Sequence, residues 1–337
     1  MKNILKYLIS LAIAGGLMWY VFKDMDLAAM WVKFQNANHA WLILVTIFTL
    51  IATWSRAHRW NMLLEPLGHR PSDFDATVAV FTGYFANQLI PRAGEVTRCG
   101  TLNRLGRVPV NVSFGTVVAE RVFDVISLLL LIALAFVLEF GRLSDFFIDL
   151  MTQKLNISIT HPKRLAALAG GATVVLIMLG VGLWFFRKNL IALRQNALFT
   201  KVESFVKGLI EGLLSVRQLR RPWLFVFHTV LIWTMYFLSS YCCFFVLQES
   251  SQLGLLAGLT VLIMGGLGMS APVQGGIGPY HLLVSSALML YGLSKENGLA
   301  LATYIHGTQM LLMLILGGIS FIVTLVKSPK DSTTVIG

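Results

Sequence analysis

The stretch FDATVAVFTGYFANQLIPRAGEVTR, residues 74–98, is apolar enough to enter a membrane and too interrupted to cross one. It runs from Phe74 to Ile90, carries Asn87 and Gln88 near its end, and stops at Pro91. A helical crossing takes about 20 residues, and proline removes a donor and crowds the preceding turn. Were the segment to cross, Arg92, Arg98, Arg104 and Arg107 would all lie outside. Turning back places them with Arg56, Arg59 and Arg70 on the inner face, as the positive-inside bias favours. The return arm, roughly 94–106, is short and polar and needs shelter by protein or water.

Six runs outside it reach or approach crossing length: roughly 4–22, 40–58, 114–138, 165–186, 222–247 and 297–326. The first follows Lys2 and reads as an uncleaved span, because no small-residue cleavage site directly follows its apolar core. A second interrupted piece, 254–293, stops at Pro272, carries Gln274 with Gly275, Gly276 and Gly278, and then restarts. It dips in from the outer face. This arrangement leaves 20 Lys and Arg inside and seven outside, with both termini cytoplasmic. The expected fold is an all-α polytopic membrane protein of about six transmembrane helices and two opposed re-entrant helical hairpins, inverted-repeat-like. It forms one transmembrane domain over 1–330, with a tail at 331–337. Residues 187–221 read as a cytoplasmic amphipathic helix bearing eight Lys and Arg, suited to an anionic leaflet.

Composition agrees. Of 337 residues 56% are hydrophobic and 13% charged, against about 25% charged in soluble domains. The formal charge of +11 sits between apolar runs, which points to a bilayer surface or an anionic or zwitterionic headgroup, not to nucleic acid. Cys99, Cys242 and Cys243 form neither a disulfide framework nor a metal pair. No nucleotide loop, nucleophile elbow or zinc motif occurs, so no cofactor and no metal are expected, and a transporter is favoured over an enzyme.

Broken helices matter because their free N–H and C=O groups need partners, and a helix N-terminus favours anions. Gly94, Gly275, Gly276 and Gly278 let backbone approach a ligand closely. Charges buried in a bilayer are functional or paired. Two sets qualify: Arg92, Glu95 and Arg98 at the first break, and Glu120, Arg121 and Asp124 within the third span. On a helix Glu120 and Asp124 share a face. If the sets meet, Arg92 and Arg98 contact a lipid phosphate while Glu95 and Glu120 orient them; Asn87 and Gln88 lie beside them. Arg59, Gln274, Tyr280 and His281 are further candidates, His281 as a proton carrier. Trp19, Tyr20, Trp31, Trp41, Trp54, Trp60, Trp184 and Trp223 read as interfacial belts. Gly254 and Gly258, like Gly317 and Gly318, read as packing sites.

Four strings together resemble a known family: Arg59-Trp60 with Leu63-Leu64, Asn87 through Arg98, Val117 through Asp124, and Ser270 through Tyr280. They resemble the flippase-like family that includes the transmembrane region of lysylphosphatidylglycerol synthases, over about 1–326. The resemblance implies translocation of a lipid or lipid-linked headgroup between leaflets of a bacterial-type inner membrane, by alternating access. Members often carry a glutamate just after the second break, where this chain has Tyr280-His281; no carboxylate role is carried over there. Bifunctional members add a soluble aminoacylating domain, which is not expected here. A second copy of the chain or a lipid-synthesising protein would fit as partner. Two alternatives stand beside this expectation. Asp24-Met25-Asp26 could hold a cation for a polyprenyl-linked glycosyltransferase, or the chain could be an accessory subunit of a lipid-modifying system.

Overall fold

The computed structural model describes residues 12, 14–23, 25–90, 92–139, 219–271 and 273–327. The expected span at 165–186, most of the amphipathic helix at 187–221, and Asp24, Pro91 and Pro272 lie outside the described residues. So does most of the first apolar run.

Among the described residues every regular element is helical. The elements are α1 (14–22), α2 (Leu27–Gln35), α3 (Trp41–Leu64), α4 (Asp73–Leu89), α5 (Gly94–Gly106), α6 (Val110–Leu138), α7 (Pro222–Cys242), α8 (Leu255–Ser270), α9 (Pro279–Met289) and α10 (Lys295–Val326). Local chemistry sets their ends. Asp26, Ser72 and Ser294 cap α2, α4 and α10 through their side-chain oxygens, which satisfies otherwise free N–H groups. Asp73 and Asp75 lie in the first turn of α4, where carboxylates complement the helix dipole. Pro222 occupies the first turn of α7, a position that tolerates it.

Among the described residues four stretches are long and apolar enough to cross a membrane: Trp41–Leu67, Val110–Leu138, Pro222–Phe245 and Lys295–Val326. The expected spans at 40–58, 114–138, 222–247 and 297–326 therefore stand, the first extended by two helical turns. Backbone contacts group the chain into two units, 1–128 with 215–337 and 129–214. Of the second, only residues 129–139 are described. The geometry below belongs to the first unit.

The two interrupted segments fold as helix–break–helix hairpins that open from opposite ends of α10. Lys327 pairs with Asp75, and Arg104 donates to the Leu325 carbonyl at 3.1 Å. Both bases of the α4–α5 hairpin thus sit at the C-terminal end of α10. The other hairpin is closed at its base by Tyr291, whose hydroxyl donates to the Leu256 carbonyl at 3.2 Å. That base lies near the start of α10, because a Cβ on Gly298 would stand 3.2 Å from the Ser285 carbonyl. The tips meet between the two ends. His306 bonds the Gly275 carbonyl at 2.8 Å, and Met310 would touch a side chain placed on Gly275. At 1.5 Å per residue these residues lie about 17 and 23 Å along a helix about 48 Å long. Each hairpin therefore reaches roughly halfway along α10.

Separate ion pairs mark the two ends. Glu65 holds Arg70 at 2.9 Å and Arg220 at 3.4 Å at one end; Lys33 holds Glu249 at 3.4 Å at the other. Apolar packing is divided likewise. Ala57, Trp60, Leu64, Ala79 and Leu102 surround the α4–α5 hairpin, while Tyr280, Val284, Leu288, Leu301 and Ile305 surround the α8–α9 hairpin. Lipid tails are as apolar as leucine, so close fit drives this packing. Gly317 shows it: a Cβ there would lie 2.7 Å from that of Phe85, so α10 lies directly against α4. Gly258 packs on Phe237 in the same way, whereas Gly254 faces open space and Gly318 makes only an ordinary contact.

Candidate functional site

Helix α6 turns an unusual stripe inward. Its buried residues are Ser113, Thr116, Val117, Glu120 and Phe123, a three-to-four spacing that defines one face. A carboxylate sits at the centre of that face, fully buried. Long cationic side chains from two other helices reach it.

Arg56 and Arg59, one turn apart on α3, and Arg98, on the second turn of α5, converge on Glu120 and Asp124. Glu120 Oε1 accepts from Arg56 Nη1 at 2.7 Å and from Arg121 Nη2 at 3.1 Å. Its Oε2 accepts from Arg98 Nη2 at 2.8 Å. Asp124 Oδ1 accepts from Arg59 Nη2 at 2.7 Å, and Oδ2 lies 3.1 Å from Arg56 Nη1 and 3.4 Å from Arg121 Nη2. Arg59 also donates to Thr229 of α7 at 3.1 Å. Trp60 lies beneath Arg98, 4.6 Å from ring centre to guanidinium carbon, a cation–π geometry. Its indole N–H donates to Thr116 at 2.9 Å. Tyr84 and Tyr236 lie within electrostatic reach of Arg56.

The charges do not balance. Among the described residues, four guanidinium groups face two carboxylates within ion-pair distance, a formal surplus of two positive charges. Within the same residues, the buried Nε atoms of Arg56, Arg59, Arg98 and Arg121 have no acceptor, and Asp124 Oδ2 makes no hydrogen bond. Arg59 and Glu120 have no side-chain exposure, while Arg121 is 42% exposed and forms the open side of the cluster. A guanidinium fork matches phosphate and carboxylate oxygens bidentately, so this arrangement can hold an anion.

The breaks lie next to it. Gly94 opens α5 one turn before Arg98, and its N–H donates to the Asn87 side chain at 2.7 Å. Gln274 of the opposing hairpin donates to the carbonyls of Gln88 and Leu89 at 2.7 and 3.1 Å, capping orphan groups at the end of α4. Gly275, Gly276 and Gly278 have φ of 58°, 72° and 91°, a region that side chains disfavour. His306 donates Nε2–H to the Gly275 carbonyl. His281 Nδ1 receives the Gly278 N–H at 3.4 Å, and the Tyr280 ring stacks on His306 at 4.6 Å.

The structure thus brings together Arg98, Glu120, Arg121 and Asp124, with Arg59 among them. It adds Arg56, Trp60 and His306, none of which sequence reasoning assigned to a site. Their signal was an arginine pair at i, i+3 inside an apolar helix, and a histidine in a long apolar span. Two candidates fall outside the cluster. Arg92 is exposed, at the turn with φ 62°, and Glu95 is partly exposed; neither makes an ion pair or hydrogen bond among the described residues. Arg92 precedes α5 and turns the chain, while helical phase carries Arg98 inward. Trp60, expected at an interface, is fully buried. Asn87 and Gln274 spend their side-chain amides on backbone. Gln88 gives only its backbone carbonyl to Gln274, and its side-chain Oε1 is buried with no hydrogen-bond partner among the described residues. Asp26 is spent as a helix cap, accepting from the Ala29 N–H at 2.9 Å.

Comparison with known proteins agrees with this architecture. The profile of the family described as "Lysylphosphatidylglycerol synthase TM region" matches residues 7–317. A UPF0104 membrane protein of Methanothermobacter thermautotrophicus is 23% identical over 75% of this chain and 79% of its own. Another, from Methanocaldococcus jannaschii, is 27% identical over 36% of each chain, so the match spans about a third of that relative. No solved structure matches. With nine-tenths of its length under one profile and four membrane-length helices among the described residues, the chain belongs to the lysylphosphatidylglycerol synthase transmembrane-region family, together with UPF0104 membrane proteins.

Proposed function

We propose that this protein carries a lipid or lipid-linked headgroup between the leaflets of a cytoplasmic membrane, as a transporter and not an enzyme. The two hairpins act as re-entrant elements, and alternating access opens their meeting point to one side at a time. One observation carries the reading: a buried cluster with excess arginine lies one helical turn behind the tip of a hairpin that stops halfway along α10. Intramembrane ionisable groups mark substrate paths by default, and here the hairpin brings Arg98 to the charges carried by the crossing helices α3 and α6. Arg98 and Arg121, with Arg56 behind them, contact the headgroup phosphate; Glu120 and Asp124 hold the guanidinium groups in place.

The sidedness follows from charge. The end of the bundle carrying Arg70, Arg104, Arg220 and Lys327 is the cytoplasmic one under the positive-inside bias, and the end carrying Lys33 faces out. Family membership supports the lipid class, since the family is described by a lipid-modifying synthase. A test is translocation of fluorescent phospholipid in proteoliposomes, read by quenching the outer leaflet. Arg98→Gln is expected to slow translocation at least about tenfold, as loss of one buried charge-assisted contact implies, with Arg98→Lys intermediate. Rates equal to the unsubstituted protein in both variants would refute the assignment.

A further inference from the structure

We infer that the arginine cluster selects a head bearing two negative charges on phosphate, a phosphomonoester or diphosphate, over a single phosphodiester. This rests on the headgroup reading above and narrows it to a substrate class.

The argument is a charge count at a defined place. Among the described residues, Arg56, Arg59, Arg98 and Arg121 meet only Glu120 and Asp124 within ion-pair distance. Other nearby carboxylates are engaged elsewhere among the described residues: Asp73 with His58 at 2.8 Å and Asn61 at 2.7 Å, and Asp75 with Lys327. Glu95, on the α5 turn before Arg98, makes no ion pair among the described residues. Charges held away from water are balanced where they can be, because an unbalanced one interacts strongly in a weakly polar medium. A phosphodiester would leave one positive charge over. A zwitterionic head adds no net charge. A lysyl ester of phosphatidylglycerol, with two ammonium groups on one phosphodiester, would add positive charge to a site that already has too much. A phosphomonoester carries about −1.5 to −2 near neutral pH, which closes the count. Donor supply fits as well. Each guanidinium offers five N–H groups, and among the described residues four buried Nε donors lack an acceptor against one unpartnered carboxylate oxygen, Asp124 Oδ2. The approach is past Arg121, the exposed member of the set.

The same chemistry exists on lipids and in solution, as free phosphate or pyrophosphate. The site's position between half-length hairpins of a membrane bundle favours the lipid form.

The test uses the full chain in phosphatidylcholine nanodiscs, with bound lipid counted by native mass spectrometry. Phosphatidic acid, a polyprenyl monophosphate and phosphatidylglycerol are compared at equal mole fraction; inorganic phosphate and pyrophosphate serve as soluble competitors. Both monoester lipids are expected to outbind phosphatidylglycerol by at least about tenfold. Arg121→Gln lowers the surplus to one and should compress that preference to about threefold or less, while Arg121→Lys keeps it. Equal binding of phosphatidylglycerol and phosphatidic acid would overturn the dianion class and leave the headgroup reading intact. A preference unmoved by Arg121→Gln would overturn the charge count. Soluble pyrophosphate binding as tightly as the lipids would overturn the lipid source. Failure of every phosphate compound to bind would overturn the inference and the headgroup reading together.

Discussion

The two broken hairpins solve one physical problem with opposite chemistry. At the first, a helix ends in mid-bundle beside arginines and carboxylates. At the second, between α8 and α9, the exposed backbone is met by imidazole and amide groups: His306 on the Gly275 carbonyl, His281 on the Gly278 N–H, and the Gln274 amide reaching across to α4. The first hairpin adds Arg98 to a buried charge cluster; the second presents left-handed backbone that favours glycine, tied to α10. The difference separates recognition from architecture. Selectivity is assigned to the first side, and the fit of the two tips to the second.

Breaking the charged side gives the largest expected effect. Glu120→Ala would strand Arg98 in a buried site and leave Arg56 with Asp124 alone, and removing one partner of such a pair costs about 3–5 kcal/mol. Thermal unfolding in detergent should show that loss, or the variant should fail to accumulate; a melting temperature near that of the unsubstituted protein would contradict the ion-pair geometry. On the other side, Gly276→Ala forces a side chain onto a left-handed position at φ 72°, 2.6 Å from the Met269 sulfur. About 1–3 kcal/mol is expected from overpacking and strain. If the two hairpins differ as described, this substitution lowers stability while the ratio of monoester to diester lipid bound stays unchanged. His306→Ala removes one hydrogen bond and a ring stack, for about 1–3 kcal/mol, again without a change in lipid preference. Arg92→Ala should be the mildest, within about 0.5 kcal/mol. A selectivity change there would return Arg92 to the site and blur the comparison.

The hairpins were legible because interruption leaves a sequence trace. Pro91 and Gly94 bracket one break, the Gly275–Gly278 run marks the other, and the helix ends at Leu89 and Gly94 fall within a residue of expectation. Glu120 and Asp124 were legible because charges four apart in an apolar helix share a face. Arg56 was not. An arginine near the end of an apolar run reads as an inner-face charge, and only the continuation of α3 to Leu64 draws it and Arg59 inside the bundle. Arg92 misled for the opposite reason: nearness in sequence to Arg98 says nothing about which side of a turn a residue faces. His306 carried no local signal, since its partner, the Gly275 carbonyl, lies 31 residues away in the chain.

The most direct measurement is a cross-link between the tips. With Cys99, Cys242 and Cys243 replaced by serine or alanine, Gln88→Cys and Gln274→Cys should be joined within one chain by a short bifunctional thiol reagent. The single variants should give no such product. A double variant that stays unlinked in the membrane, while both thiols react freely with a monofunctional reagent, would mean that the hairpins do not meet.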